Sequence, residues 1–274
     1  MGQLNSITSF ITQLLTQHVG QFVFLGQGMF LSFSTIMIVW FGAKAALSSA
    51  DQSGGFQFGN FAGLVMMIAF GFAMTQYYAT PIPGLGRSFY HLIIDQTSYL
   101  SSLIAGTQLQ NATRAISQYE GQIQSPGLTD FSGSIAYILD LAILALWEAV
   151  AIIITAYGFV AQAICVLLGP VFIPFFIVPK LEWLFWGWLK CFLQYAFYQV
   201  VAAATMFVMG NLVIYVLTQP PFLPIPDPAS LLSLLIVVFL GGVYALLKVP
   251  ALTSHIFSGT SGLSSAAVIE YFLS

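Results

Sequence analysis

Two acidic residues, Asp140 and Glu148, stand inside the longest apolar stretch of the sequence, residues 135–179. About 20 apolar residues cross a bilayer, so this stretch is long enough to span a membrane and continue beyond it. An ionisable group in a membrane segment is by default a functional hypothesis, because hydrocarbon does not solvate charge. These two carboxylates are therefore the first candidates for chemistry in this chain.

The polar side chains of this stretch share one side of a helix. At about 100° per residue, they fall in a sector about 80° wide, together with Gly158, while the opposite sector is apolar from Leu139 to Leu168. We expect this polar stripe to face the protein interior, a subunit interface or a conduit, and the apolar sector to face lipid. Whether the carboxylates act as relay groups or only fix packing stays open at this point. The polar stripe consists of Tyr137, Asp140, Glu148, Thr155 and Gln162.

Other candidate chemistry is sparse. His91 and Asp95 are four residues apart, but without a third group nearby we expect a solvated helix face and not a catalytic or metal pair. Cys165 and Cys191 stand in apolar context and are interpreted as small buried hydrophobes. The sequence contains no nucleotide-binding P-loop and no HExxH or GxSxG motif. We therefore predict a protein that is not an enzyme, with no catalytic residue, no metal and no cofactor.

The amino-acid composition indicates what kind of fold holds these residues in place. Hydrophobic residues make up 58% of the chain and charged residues only 5%, too few charges to cover the surface of a soluble domain of this size. A net charge of −3 on 274 residues gives no basic patch for nucleic acid. The fold class that follows is all-α, a polytopic membrane protein with about five transmembrane helices.

The N-terminal part of the chain has two kinds of helical pattern. Residues 1–21 form a predicted amphipathic helix with an uncharged polar face; it either lies on the bilayer or packs against copies of itself or a partner. The first span follows, and residues 22–80 hold spans 1 and 2. Small and hydroxyl residues in the first span predict close helix packing in an oligomer. These residues are Gly26, Gly28, Ser32 and Thr35.

Residues 135–250 hold the remaining three predicted spans, and 251–274 form a tail. The start of the fourth span carries tryptophans between lysines, a pattern typical of residues anchored at the headgroup level. These predicted interfacial anchors are Lys180, Trp183, Trp186, Trp188 and Lys190. Gly169 and Pro170 should break the third span, and we place this break at the inner face of the membrane.

Charge bias favours five spans over six. With five spans and an outside N-terminus, all four lysines, at positions 44, 180, 190 and 248, are cytoplasmic, whereas Arg87 and Arg114 are not. A sixth span would need a hinge at Gly158 and would move Lys180 and Lys190 outside. We therefore predict a multi-pass protein with a periplasmic N-terminus, a small helical periplasmic loop at 81–134 and a cytoplasmic C-terminus.

Two segments resemble a known family. Residues 167–201, LLGPVFIPFFIVPKLEWLFWGWLKCFLQYAFYQVV, combine a Gly-Pro turn, an apolar run to a proline, and aromatic residues around tryptophan before a long helix. Residues 249–252, Val-Pro-Ala-Leu, precede Ser258-Gly259. Both segments resemble the TrbL-type polytopic inner-membrane subunit of bacterial type IV secretion and conjugation systems.

The resemblance implies a non-enzymatic channel or scaffold subunit in the bacterial inner membrane. Relatives of this type assemble as a ring, with a pentamer favoured, at the base of a stalk or pilus. The implied partners are further copies of the chain, a periplasmic stalk or pilus-tip subunit, cytoplasmic ATPases and membrane lipids, with nucleic acid only as transported cargo. The periplasmic region is shorter here than in many relatives. The alternative function is a small-solute or proton-coupled transporter that uses Asp140 and Glu148, although we find no internal repeat of the transporter kind.

Overall fold

The structure, a computed structural model, describes residues 2–50, 58–105, 131–218 and 228–258. These residues are mostly helical, with no β-strand among them, which confirms the predicted all-α class. In chain order the elements are α1 (Gly2–Ala50), α2 (Phe58–Gln76), α3 (Phe89–Ala105), α4 (Phe131–Phe172), a 3-10 helix (Ile173–Ile177), α5 (Glu182–Thr218), α6 (Pro228–Leu247) and α7 (Val249–Ser258).

Four of the described helices are long and apolar enough to cross a membrane, and a bent pair raises the number to five. The bend, 42° between Ile236–Leu247 and Val249–Phe257, falls where Pro250 lacks a backbone N–H for a continuous helix. The predicted count of five is reached when this bent pair is counted as one span. The four single candidates are Ser9–Leu47, Phe58–Gln76, Ile152–Ile177 and Glu182–Leu212.

The predicted N-terminal helix and first span are one element. α1 runs without interruption for 49 residues, about 73 Å at 1.5 Å per residue, whereas the hydrocarbon core is about 30 Å thick. A helix that lies flat on the bilayer needs a bend before it crosses, and α1 continues through residues 21 and 22. Of the two roles expected for residues 1–21, this continuity favours packing against protein.

α4 is also continuous where a hinge was considered. The helix passes through Gly158 without a break, so the six-span alternative loses the hinge on which it depends. A Cβ at Gly158 would overlap the ring of Tyr198. The glycine therefore serves close packing rather than bending.

The chain divides into two compact units, each with its own core. The first, Met1–Gln96 with Phe159–Ala196, is built around aromatic side chains, with Tyr78, Phe185, Trp188 and Phe192 fully or almost fully buried. The second, Thr97–Gly158 with Phe197–Ser274, has a smaller core among its described residues. Its buried members are Ile154, Tyr198, Ala202, Leu246 and Val249.

A tight turn follows α2. The backbone N–H of Ile82 donates to the carbonyl of Arg87 at 2.9 Å. Gly84 and Gly86 have φ angles of 87° and 64°, in the left-handed region that glycine occupies without steric cost. The turn leads directly into α3.

Candidate functional site

Four elements of the first unit converge where α4 ends. Pro170 has no backbone N–H, so the carbonyl of Val166, four residues earlier, loses its usual helical partner. The hydroxyl of Tyr78 donates to this carbonyl at 2.7 Å, and the indole Nε1 of Trp188 donates to the carbonyl of Cys165 at 2.8 Å. Side chains from beyond the end of α2 and from α5 thus bind the opened turn. We call this point, Gly169 and Pro170 with Tyr78 and Trp188, the proline junction.

Glycines make this convergence possible. A Cβ at Gly169 would overlap the hydroxyl of Tyr78 and the indole of Trp188. A Cβ at Gly26 of α1 would overlap the backbone carbonyl of Pro170. Real side chains do not tolerate such distances, so the backbones of α1 and α4 approach each other only because both positions lack a side chain.

The 3-10 helix after the proline junction packs between α1 and α2. Its Phe175 ring lies 5.4 Å from that of Phe33 in α1, and its Phe176 ring lies 5.8 Å from that of Phe70 in α2. Ile173, Pro174 and Ile177 are fully buried or nearly so. The polypeptide therefore turns inside protein and not in a lipid-exposed loop, as irregular backbone at membrane depth requires.

The predicted break and the predicted end of the second span do not lie on opposite membrane faces. We placed Gly169 and Pro170 at the inner face and the end of the second span, near Tyr78, at the outer one, yet Tyr78 and Gly169 are in contact. From there the chain runs back along α2 until Ile177 reaches Gly71. Charge bias reports on which side a loop lies, but it contains no information on the depth at which a proline turn docks.

The polar stripe is only partly described. For Tyr137, Asp140 and Glu148 the structure gives the helical backbone but not the side chains, so their role stays a prediction. Gln162 is buried and Thr155 is half-buried. On the opposite sector most described side chains are exposed, whereas Val150 is half-buried. The exposed ones are Leu146, Ile153, Tyr157, Ile164 and Leu168.

One of the five predicted interfacial anchors is misassigned. Lys180, Trp183, Trp186 and Lys190 are exposed, as an anchor must be. Trp188 is 6% exposed and belongs to the core of the first unit. It lies about 200° around the helix from Trp186, on the side that faces α4, so its indole N–H serves the proline junction and not the headgroup region.

The predicted oligomer-packing residues divide into two groups. Gly26 is buried against Pro170 of the same chain, so its assignment to packing between copies is corrected. Gly28, Ser32 and Thr35 are exposed, and the two hydroxyls donate to carbonyls of their own helix. Their role between copies stays a prediction.

The pair His91 and Asp95 has partners of its own in the structure. Asp95 forms an ion pair with Arg87, and Nδ1 of His91 lies 2.7 Å from the Ser88 hydroxyl. Burial, and secondarily the charge of Arg87, lowers the pKa of His91 below its ordinary value. These contacts hold the start of α3 against the turn that precedes it. Among the described residues no three metal-ligating side chains come together.

The two cysteines are neighbours, which the sequence did not indicate. Their Sγ atoms lie 3.6 Å apart, between α4 and α5, and both are free thiols. Cys165 directly precedes Val166 in the turn that Tyr78 and Trp188 bind. The thiol pair thus marks the packing of α4 against α5 beside the proline junction.

The fold and the proline junction define a polytopic helical membrane protein. The family model described as TrbL/VirB6 plasmid conjugal transfer protein matches residues 34–249, well over half of the chain. The protein belongs to this family, which confirms the resemblance seen in residues 167–201. It is therefore a membrane component of a type IV secretion or conjugal transfer system. No curated protein sequence matches the chain.

Proposed function

We propose that the protein is a non-enzymatic channel or scaffold subunit of the inner membrane, assembled as a ring at the base of the stalk or pilus. In this role it supports translocation of DNA–protein complexes or protein cargo. The observation that carries the proposal is the family match over residues 34–249. α1 packs against the proline junction on one side and is exposed on the other. This arrangement supports a stably folded subunit that still has a surface to bind further copies.

The proposed topology has a periplasmic N-terminus and a cytoplasmic C-terminus, with residues 81–134 in the periplasm. Lys44 and Lys248 support it, and the ion pair of Arg87 with Asp95 partly neutralises the one arginine in the described part of that loop. Reporter fusions at Gln124 and after Ser274 measure the sidedness. A cytoplasmic signal at Gln124 would reject this topology.

Deletion of the gene from a donor strain tests the function itself. We expect plasmid transfer, or secretion of the system's protein cargo, to be lost and to return when the wild-type chain is supplied. The purified protein should also co-migrate with the system's ATPases and a periplasmic stalk subunit. Unchanged transfer after deletion would reject the proposal.

The polar stripe separates this proposal from a proton-coupled transporter. We propose that Glu148 fixes packing, since buried polar groups in membranes are generally paired with neighbours. Glu148→Gln should then keep assembly and transfer, because the amide retains shape and hydrogen-bonding capacity, whereas Glu148→Leu should weaken assembly. A fully assembled Glu148→Gln variant that transfers nothing would favour the transporter.

A further inference from the structure

α1 presents two different faces along its length. One face packs within the chain, where Val19, Gly26, Phe30 and Ser34 are buried. On the opposite side of the helix, positions that alternate in steps of four and three from Phe10 to Gly42 are all exposed. This open face includes Leu14, Gln17, Gln21, Phe24, Gly28 and Thr35, and Phe24 is 80% exposed.

One line of exposed positions on the open face has the spacing of a coiled coil, although positions off this line, such as Thr16 and Ile36, are exposed as well. Alternating steps of four and three give a repeat of 3.5 residues, which keeps one seam turned toward a partner helix. Here the repeat persists for about 48 Å at 1.5 Å per residue. Gln17 and Gln21 lie on this line just before the predicted first span begins at residue 22, so this part of the line carries amides that can pair with a partner helix.

The chemistry of the open face fits an identical helix. The first 43 residues contain no Asp, Glu, Lys or Arg, so two parallel copies meet without like-charge repulsion. Each amide both donates and accepts hydrogen bonds, so Gln17 and Gln21 can pair with the same residues of another copy. A Cβ at Gly28 or Gly42 would meet nothing within 4 Å in its own chain, and this unfilled space allows close backbone approach.

We propose that α1 packs in parallel against α1 of a second copy through this open face. Copies inserted with the same topology run parallel, so in a ring whose α1 helices surround a common axis the same residue of each copy lies at the same level of the seam. The inference rests on the proposed ring and identifies the surface that forms it. Each α1 is then held by its own proline junction on one side and by a neighbouring copy on the other.

Disulfide formation between single cysteines tests the seam in native membranes. In the full chain with Cys165→Ser and Cys191→Ser, one cysteine is placed at Gln17 or Thr35 of the open face, or at exposed off-face neighbours, Thr16 and Ile36. After copper-phenanthroline oxidation, we expect several-fold more disulfide-linked dimer from Gln17→Cys and Thr35→Cys than from their neighbours. Equal yields on both sides, or no dimer at the seam, would overturn the proposal.

A second test keeps the native cysteines. Gly28→Leu places a side chain in the seam, whereas Gly63→Leu adds one at an exposed position of α2, and neither added Cβ meets its own chain within 4 Å. Native mass spectrometry in mild detergent should show oligomers for wild type and Gly63→Leu and a shift to monomer for Gly28→Leu. An unshifted Gly28→Leu, or a monomeric wild type, would reject the seam. Plasmid transfer by the wild-type chain is scored separately, so failure of the seam is distinguishable from failure of the proposed function.

Discussion

Gly26 and Gly28 are two residues apart on one helix and have opposite surroundings. A Cβ at Gly26 would overlap the Pro170 carbonyl, whereas a Cβ at Gly28 would meet nothing within 4 Å. Two residues are about 200° around a helix, so one glycine belongs to the packed face of α1 and the other to the open face. Small residues in a membrane helix therefore mark close approach without saying whether the approaching backbone belongs to the same chain.

The packed face of α1 is stabilised by packing against the proline junction. The junction combines a missing backbone N–H, two side-chain donors and two glycines, each of which constrains the others. The open face has no comparable contact among the described residues, and its helix is held from the other side. Substitutions at the junction should therefore cost the protomer stability, and substitutions on the open face should not.

The largest effect is expected at Gly169. Gly169→Leu forces a side chain into the space of Tyr78 and Trp188, and overpacking of this kind costs at least about 1–3 kcal/mol. Thermal unfolding in detergent should occur at a clearly lower temperature, or the protein should fail to accumulate. Gly187→Leu is the matched control, since Gly187 is exposed and an added Cβ has open space. Equal stability of the two variants would contradict the packing of the junction.

The next effect separates the two faces directly. Gly26→Ala should lower the unfolding temperature, because the methyl group meets backbone atoms of Pro170 that have no flexible end to move aside. Gly28→Ala should leave it unchanged or raise it, since alanine is favoured over glycine in helices by about 0.5–1 kcal/mol. Paired melting curves in the same detergent measure both. Identical shifts would remove the distinction between the packed and open faces.

A smaller loss is expected when one hydrogen bond is removed. Tyr78→Phe leaves the Val166 carbonyl without its donor, and an unsatisfied buried acceptor costs about 1–3 kcal/mol. Tyr99→Phe is the control, because Tyr99 is 63% exposed and its loss of a hydroxyl should be neutral. If both variants melt together, the capping of the opened turn by Tyr78 is not a source of stability.

The smallest effect concerns geometry rather than stability. Cys165 and Cys191, with Sγ atoms 3.6 Å apart, should be joined by a mild oxidant, because a small movement brings the two sulfurs to bonding distance. Maleimide labelling should count two thiols before oxidation and none after it, within the monomer. In the Cys191→Ser chain the remaining thiol should stay free. Two thiols that persist in the oxidised protein would contradict the packing of α4 on α5.

The class of fold follows from the sequence because composition and span length depend on the bilayer and not on neighbours. The pattern of residue types along each helix predicted exposure correctly where one element decides the outcome, as for the exposed Trp183 and Trp186. The pattern failed at Trp188 and Gly26, because burial there depends on which other helix packs against these residues. The position of Pro170 beside Tyr78 could not be predicted from the sequence for the same reason, since it depends on a contact between distant parts of the chain.

Plasmid transfer from a donor strain that lacks the gene tests the central claim most directly. The strain is complemented with the wild-type chain, with Gly28→Leu or with Gly63→Leu, at equal levels of protein in the membrane. If the protein is a type IV secretion subunit that assembles through the open face of α1, wild type and Gly63→Leu restore transfer and Gly28→Leu does not. Full transfer with Gly28→Leu, or no restoration by the wild-type chain, would contradict the account.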